Sequence, residues 1–440
     1  MFNLPKYGTG GIGLARLALL LDALSIDRAR LQRHSLVITG SNGKGSTAAF
    51  CASIGRAFGL RTGLFTSPHL YRFNERFRID GEPVDDELLD ALVLRVATAI
   101  ADLEHHGVHE TFGAFEAQFA LACLYFQETG CDLAVFEAGI GGRYDPVRLI
   151  GAALTCVTSV DLEHTALLGN SLALIASDKS DACASHGTVI YGENCLPLRL
   201  HLAEYNRSRH VSGLHVGEDI VINNVVTSAK AQNFNCRVGA TILRGLEIGL
   251  HGEFQLNNAS IAAALFLLWM QRMHPDADAT QIDHAIRTGL RETAWPGRLE
   301  VIQREPLTVI DVGHTPDGVM QALRGLHAVH GKDDWLLVLG VSADKNVDEI
   351  ARHLAPHFGA IVCTRAYHKG ADARVVGAAA RKAHGTARIH VANAMEDAVR
   401  LSQQLARTVP RKIYVAGGLF VAIEYATVLR GGKADELQFF

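Results

Sequence analysis

The sequence predicts an α/β protein with a parallel sheet in each of two domains, and three observations carry that prediction. Short β-branched runs alternate with helical patterns, a glycine-rich loop joins the first such run to a helix, and a second strand–helix series follows a cluster of helix breakers. A parallel crossover needs a dozen or more residues, most often a helix, so this alternation implies sheets covered on both faces. The chain has 440 residues, enough for two or three domains of ~100–200 residues each.

Taken in order, Leu14 to Leu24 is apolar but interrupted by Arg16 and Asp22, which reads as an amphipathic helix and not a signal peptide. Leu36–Thr39 is a strand, followed by a helix from about Ser46, and Leu133–Phe136 and Leu154–Thr158 are further strands. From about Arg209 to Gly252 the texture changes to Val-, Ile- and Asn-rich segments expected to pair antiparallel. A helix is expected over Asn257–Met273; its apolar run Ile261–Met270 is too short for the ~20 residues that span a bilayer.

Ala294-Trp295-Pro296-Gly297-Arg298 breaks the helical pattern, so a boundary is placed there, giving domains 1–296 and 297–440. Strands are expected beyond it at Leu307–Asp311, Trp335–Gly340, Ala360–Thr364 and Lys412–Ala416. A cleft between two α/β domains suits a cofactor and a second substrate.

Composition excludes several classes. With 48% apolar and 20% charged residues the chain is not disordered, and 42 basic against 46 acidic residues leave no bulk field for nucleic acid or anionic lipid. Eight cysteines without a CxxC pair suit reduced, buried thiols in a cytoplasmic protein better than disulfides or a zinc site.

The first chemical signal is Gly40-Ser41-Asn42-Gly43-Lys44-Gly45-Ser46-Thr47 between strand and helix. Glycines admit phosphate oxygens close to backbone N–H groups, the helix N-terminus adds positive potential, Lys44 reaches the terminal phosphates and a hydroxyl faces the metal. The loop is shorter than the common P-loop, with only Ser41 and Asn42 between the first glycine and Gly43-Lys44.

Further motifs follow in sequence: Thr66-Ser67-Pro68-His69-Leu70, Asn74-Glu75-Arg76, Phe115-Glu116, Glu137-Ala138-Gly139-Ile140-Gly141-Gly142-Arg143-Tyr144-Asp145, Glu163-His164-Thr165, Lys179, Gln255 with Asn258, Trp295–Arg298, Asp311-Val312-Gly313-His314-Thr315-Pro316, Asp344-Lys345 and Gly417-Gly418-Leu419-Phe420. This order resembles the folylpolyglutamate synthase/dihydrofolate synthase branch of the Mur-ligase superfamily. The resemblance implies a Mur-ligase-type P-loop ATPase domain with a parallel sheet, plus a smaller C-terminal Rossmann-like α/β domain.

It also implies a reaction. ATP would phosphorylate a substrate carboxylate, and an amino group would then attack the acyl phosphate; the protein aligns the reactants, neutralises charge and excludes water. By motif position, Asn42, Gly43, Lys44, Gly45, Ser46, Thr47, Asn258, Arg298 and Asp311 are expected at ATP. Ser67, Glu137 and His164 are expected at Mg2+, although imidazole is an unusual ligand for so hard an ion. Lys44, Lys179 and His314 are expected to act in catalysis, Lys179 as a carbamate beside a second magnesium. Read alone, Lys179 would be a surface lysine.

On the acid side, Phe115 is expected to stack on a flat ring and Asp145 to hydrogen-bond its edge. The family's Ala-Thr-Asn run is here Pro146-Val147-Arg148, and Arg148 would favour an acid with an additional anionic group. The resemblance implies dihydropteroate or a reduced folate joined to L-glutamate by a monomer of the bifunctional type. A paralogue using another acid and a nucleotide-binding protein without ligase activity are the competing readings.

Overall fold

The computed structural model describes residues 13–439 together with residues 4, 5 and 8. Among these the chain forms three sheets. The largest has eight strands in the order Glu82–Pro83, Phe77–Ile79, Thr62–Phe65, Leu133–Glu137, Ser35–Thr39, Leu154–Val157, Thr188–Tyr191 and Ser212–His215. From Thr62–Phe65 to Ser212–His215 every pairing is parallel. All five residues of Ser35–Thr39 are buried, as expected for a central strand covered on both faces.

One face carries the helices Lys44–Ala57, Glu253–Met273 and Ala279–Glu292, and the other Leu14–Ala23, Asp86–His105 and Ala114–Glu128. The second sheet, Ile220–Thr227, Gln232–Val238 and Thr241–Ile248, is antiparallel and packs its alternate residues Phe234, Cys236 and Val238 into the first of these cores.

The third sheet has six strands in the order Glu300–Arg304, Leu307–Ile310, Lys412–Ala416, Trp335–Leu339, Ala360–Thr364 and Arg388–Ala392, parallel except for its first pair. Its helices cover both faces, with Val319, Leu323 and Ile350 on one and Ala398, Val421 and Ile423 on the other.

The α/β reading therefore holds, with local differences. The helix after the first strand begins at Lys44, not Ser46, because Gly43 ends the loop in the left-handed region and the next residue is already helical. The helix expected from Asn257 begins at Glu253. Ser212–His215, inside the stretch expected to be antiparallel, is instead the parallel edge of the large sheet. Glu300–Arg304 and Arg388–Ala392 were not foreseen; they are edge strands whose outward Glu, Gln, Arg and His residues hide the apolar alternation. All eight cysteines are buried and unpaired.

Candidate active site

The site lies where the carboxyl ends of the large parallel sheet face the third sheet. The loop leaving Ser35–Thr39 is shaped by two glycines at close approaches: a Cβ on Gly40 would lie 1.9 Å from Thr158 Oγ1, and one on Gly43 would lie 2.5 Å from Asn258 Oδ1. Both have positive φ, +138° and +87°. Ser41 N–H donates to Ser159 O at 2.9 Å and Asn42 N–H to Ser159 Oγ at 2.8 Å, which fixes the loop against the neighbouring strand end. The helix from Lys44 has no side-chain cap, so its first N–H groups face the cleft in the manner of an anion site.

Lys44 Nζ donates to Gly40 O at 2.8 Å and Ser41 O at 3.2 Å, holding the ammonium over the loop. Trp295 packs on Gly45, where an added Cβ would meet its Nε1 at 3.1 Å. Ser46 Oγ accepts from Gln255 Nε2 at 3.3 Å, and Gln255 Oε1 accepts from Asn258 Nδ2 at 2.9 Å. Thr47 Oγ1 is buried without a partner.

A cavity of about 460 Å³ opens above this loop. Asn42, Gly43, Lys44, Gly45 and Ser46 form its floor. Ser67, Glu137, His164 and Asn258 line its N-terminal side, while Arg298, Asp311 and His314 line it from the third-sheet side. Thr315 Oγ1 donates to Asn42 Oδ1 at 3.3 Å across the cleft, so the two α/β units touch directly at the loop.

Electrostatics sort the acids. Glu137 accepts from Ser67 N–H at 3.1 Å; burial raises its carboxyl above the usual range, with Lys44, Arg298 and Arg76 opposing. Glu163 Oε1 accepts from Lys179 Nζ at 2.9 Å. Burial works against its charge, but the ammonium groups of Lys179 and Lys44 prevail and hold it at about 2. Lys179 is only 1% exposed, which removes the surface-lysine reading. Burial depresses its ammonium and Lys44 adds to this, despite Glu163. Glu163 is therefore the firm anion and Lys179 the more readily deprotonated partner.

Burial lowers the imidazole pKa of His164, the left-handed residue before the helix Thr165–Leu168, against the pull of Glu163. Confinement by surrounding protein, then Lys345 and Arg298, push His314 down to about 4, although one side of its ring stays open to the cleft. Asp311 is raised by burial while its two oxygens accept from Leu299 and Gly313 N–H at 3.1 and 2.7 Å.

The residues expected on the acid side lie outside this cavity. The Phe115 ring covers Gly139, where a Cβ would meet it at 2.8 Å, and lies 5.8 Å from Phe65. Asp145 is 3% exposed: Oδ2 accepts from Gly139 and Ile140 N–H, both at 2.9 Å, and Oδ1 from Val147 N–H at 3.1 Å. Burial pushes its carboxyl up to about 6 against those three donors. Arg148 donates to Arg143 O at 3.2 Å and sits 4.0 Å from Asp181.

Asp181 and Asp178 are scaffold residues that sequence reasoning passed over. Asp181 collects Arg143 Nε at 2.6 Å, Tyr205 OH at 2.8 Å and Arg209 at 3.1 Å, while Asp178 accepts from Gly142 N–H at 2.9 Å. Glu163, adjacent to His164 in the recognised motif, could have been found there.

The residues fit a magnesium nucleotide. Among the described residues no three His, Cys, Asp or Glu side chains form a complete metal site. Mg2+ does not require one, since it is usually held by one or two carboxylates with phosphate oxygens and water. The buried, destabilised Glu137 carboxylate beside Ser67 suits that arrangement, whereas Thr47, expected at ATP, is fully buried and does not line the cavity.

A glycine-cradled anion site roofed by a second parallel α/β unit is the layout of a Mur-type ligase, and residues 297–417 match the family "Mur ligase, glutamate ligase domain". The chain is 30% identical over 361 residues to the dihydrofolate synthase/folylpolyglutamate synthase of Bacillus subtilis, covering 80% of this chain and 82% of that one. It therefore belongs to the folylpolyglutamate synthase/dihydrofolate synthase family. A Haloferax volcanii protein, "probable bifunctional folylpolyglutamate synthase/dihydropteroate synthase", is 32% identical over 396 residues, 89% of this chain. This chain spans about half, 45%, of that relative's length. The structure of Mycobacterium tuberculosis folylpolyglutamate synthase complexed with ADP superposes with a TM-score of 0.84 at 26% identity, covering 94% of each chain.

Proposed function

We propose that this chain is an ATP-dependent, ADP-forming ligase that joins a carboxylic acid to L-glutamate, with dihydropteroate or a reduced folate as the acid. The observation that carries this reading is the single cavity in which the loop lysine Lys44 and the residues Arg298 and His314 of the opposite unit face one another. ATP, when bound with Mg2+, supplies the phosphoryl group that turns a poor electrophile into a good one. The relatives' names support folate and glutamate as substrates.

In this reading the open N–H groups at Lys44, Gly45 and Ser46 bind the phosphates, and Lys44 swings from its loop carbonyls onto them. Ser67, Glu137 and His164 hold the metal, and Asn258 lies against the base. Arg298 and Asp311 close on the nucleotide from the 297–440 domain, which meets the 1–296 domain at Trp295–Arg298. His314 is a neutral imidazole beside the reacting groups and serves as a hydrogen-bond partner. Lys179 is modified as a carbamate: its neutral amine attacks carbon dioxide, a C–N bond forms, the C=O pair moves to oxygen and the amine proton leaves to water. Burial and a depressed ammonium supply the neutral amine that this needs.

The full engagement of Asp145 favours a second reading, a related ligase for an acid without a pterin ring. We place the protein in the cytoplasm as a monomer; no helix among the described residues is long and apolar enough to cross a membrane, and the eight buried thiols suit a reducing compartment. The test is ADP release from the purified chain with ATP and Mg2+ against a panel of acids and amino acids. Release that requires dihydropteroate or tetrahydrofolate together with L-glutamate is expected. Absence of dihydropteroate and folate binding at millimolar concentration would transfer the assignment to another acid.

A further inference from the structure

The segment after the turn Ala434–Glu436 packs Leu437 and Phe439 against the core of the C-terminal unit and also touches the N-terminal one. Gln438 O accepts a hydrogen bond from His69 Nε2 at 2.5 Å. His69 is 3% exposed, and its other nitrogen, Nδ1, accepts from Arg76 Nε at 2.9 Å. A guanidinium only donates, so Nδ1 carries no proton and the ring's single N–H is aimed at Gln438.

Phe439, 2% exposed, stacks on His69 with ring centroids 6.3 Å apart and planes 8° apart. It also meets His368 and Phe420 edge-on, both at 4.9 Å. His368 is itself fixed, its Nδ1 lying 3.0 Å from the buried Glu424 carboxylate, which also accepts two backbone N–H groups. Phe439 is thus gripped by both units.

What His69 holds lies next to the candidate site. Arg76 Nη1 donates to Gln118 Oε1 at 2.7 Å, Thr66 N–H donates to Arg76 O at 3.1 Å, and Ser67 N–H donates to Glu137. A smaller cavity of about 130 Å³ lies between this segment and the other unit, lined by Thr66, Ser67, His69, Arg298 and Leu419.

We propose that residues 437–439 form a strap between the two α/β units and that His69 is the positioning residue through which the strap sets segment 66–76, and with it Ser67 and Glu137, against the C-terminal unit. The strap stands on the contacts; its effect on turnover rests on the ligase reading above.

Hydrogen exchange of amides 66–78 in the ligand-free full chain tests the strap without reference to any activity. Phe439→Ala and His69→Phe are expected to speed exchange there by about 10-fold or more while the strand Gln232–Val238, in a separate sheet and core, keeps its protection. His69→Gln, whose amide both accepts from Arg76 and donates to Gln438, should restore most of it. Gln438→Ala should be silent, because only the backbone carbonyl takes part. With the best acid and ATP, the strap variants should raise KM for the acid more than they lower kcat. Unchanged exchange at 66–78 in Phe439→Ala, a uniform rise along the whole chain, or a Gln438→Ala effect as large as that of Phe439→Ala would overturn the strap. If exchange responds as expected but the wild type releases ADP with no acid, the strap stands and the ligase reading falls.

Discussion

The loops 40–47 and 139–148 leave the carboxyl ends of adjacent parallel strands, yet they treat their backbone N–H groups in opposite ways. In the first, the helix N-terminus at Lys44 has no side-chain cap and its donors face an open cavity. In the second, Asp145 takes the N–H groups of Gly139, Ile140 and Val147, and Asp178 takes that of Gly142. One loop turns its donors to the cleft, and the other has them taken by the protein's own carboxylates. The difference teaches that donors suited to a phosphate are available on the first loop, whereas the second has only ring surface and shape left to offer a ligand.

The sharpest way to break this contrast is Lys44→Ala. It removes the ammonium held directly over the open loop, and ADP-forming turnover should fall ~100- to 1,000-fold, the loss typical of one preorganised electrostatic donor. Near-normal turnover, measured as ADP release, would mean that the loop does not bind the reacting phosphates. Next in size is Lys179→Ala. It leaves Glu163 without its hydrogen-bonded cation, and a ~10- to 100-fold loss is expected of a group supporting a metal site from behind. Acetate should restore part of that activity if a carbamate is the working form; activity unaffected by the substitution would make Lys179 a purely structural ion-pair partner.

The filled loop gives a different signature. Asp145→Asn keeps one acceptor oxygen and turns an amide toward N–H donors, leaving buried donors unmet at ~1–3 kcal/mol each. The expected result is a lower Tm and a raised KM for the acid, with KM for ATP little changed. Equal rises in both KM values would show that the two loops are not independent.

Acid pH distinguishes the phosphate side as well. Glu163 is held at about 2 in the folded chain, below the ordinary ~4.3 of a glutamate in the unfolded one. Between those values the unfolded chain binds more protons, so stability is fully present above pH ~4.5 and declines as pH falls toward 2. With carbon dioxide excluded, so that Lys179 is the free ammonium, denaturant midpoints of wild type and Glu163→Gln should therefore converge as pH is lowered from 5 to 3; a constant gap would remove Lys179–Glu163 as a charged pair.

These two loops also explain what was legible in the sequence. The phosphate loop is written in glycines, and a glycine required by close approach to Thr158 or Asn258 can be read from its strand–loop–helix setting. The strands Leu36–Thr39, Leu133–Phe136 and Leu154–Thr158 are apolar runs and were found; the buried interior strands Thr62–Phe65 and Thr188–Tyr191, only four residues each, were not, and the edge strands Glu300–Arg304 and Arg388–Ala392 were missed because polar side chains there face solvent. Asp145 was noticed but its partners were not, since a carboxylate looks the same in sequence whether it meets a ligand or three backbone amides. Lys179 could be placed only by resemblance: its burial is set by packing beneath Glu163 and not by its neighbours in sequence.

The smallest effect should come from Arg148, and it is the most discriminating for the acid. Its side chain is 44% exposed, its ion-pair distance to Asp181 is 4.0 Å, and Asp181 is already met by Arg143 and Arg209. Exposed pairs of this kind contribute ~0–1 kcal/mol, so Arg148→Ala should leave Tm within a few degrees of wild type. For a neutral pterin acid its KM should also hold, because the guanidinium is turned to Asp181 and the Arg143 carbonyl and has no ring edge to meet. A strong rise in KM for one acid of the panel, with Tm unchanged, would show that Arg148 leaves Asp181 when substrate binds. Such an acid would carry a second carboxylate or a phosphate, and the filled loop would then owe its specificity to this one mobile cation.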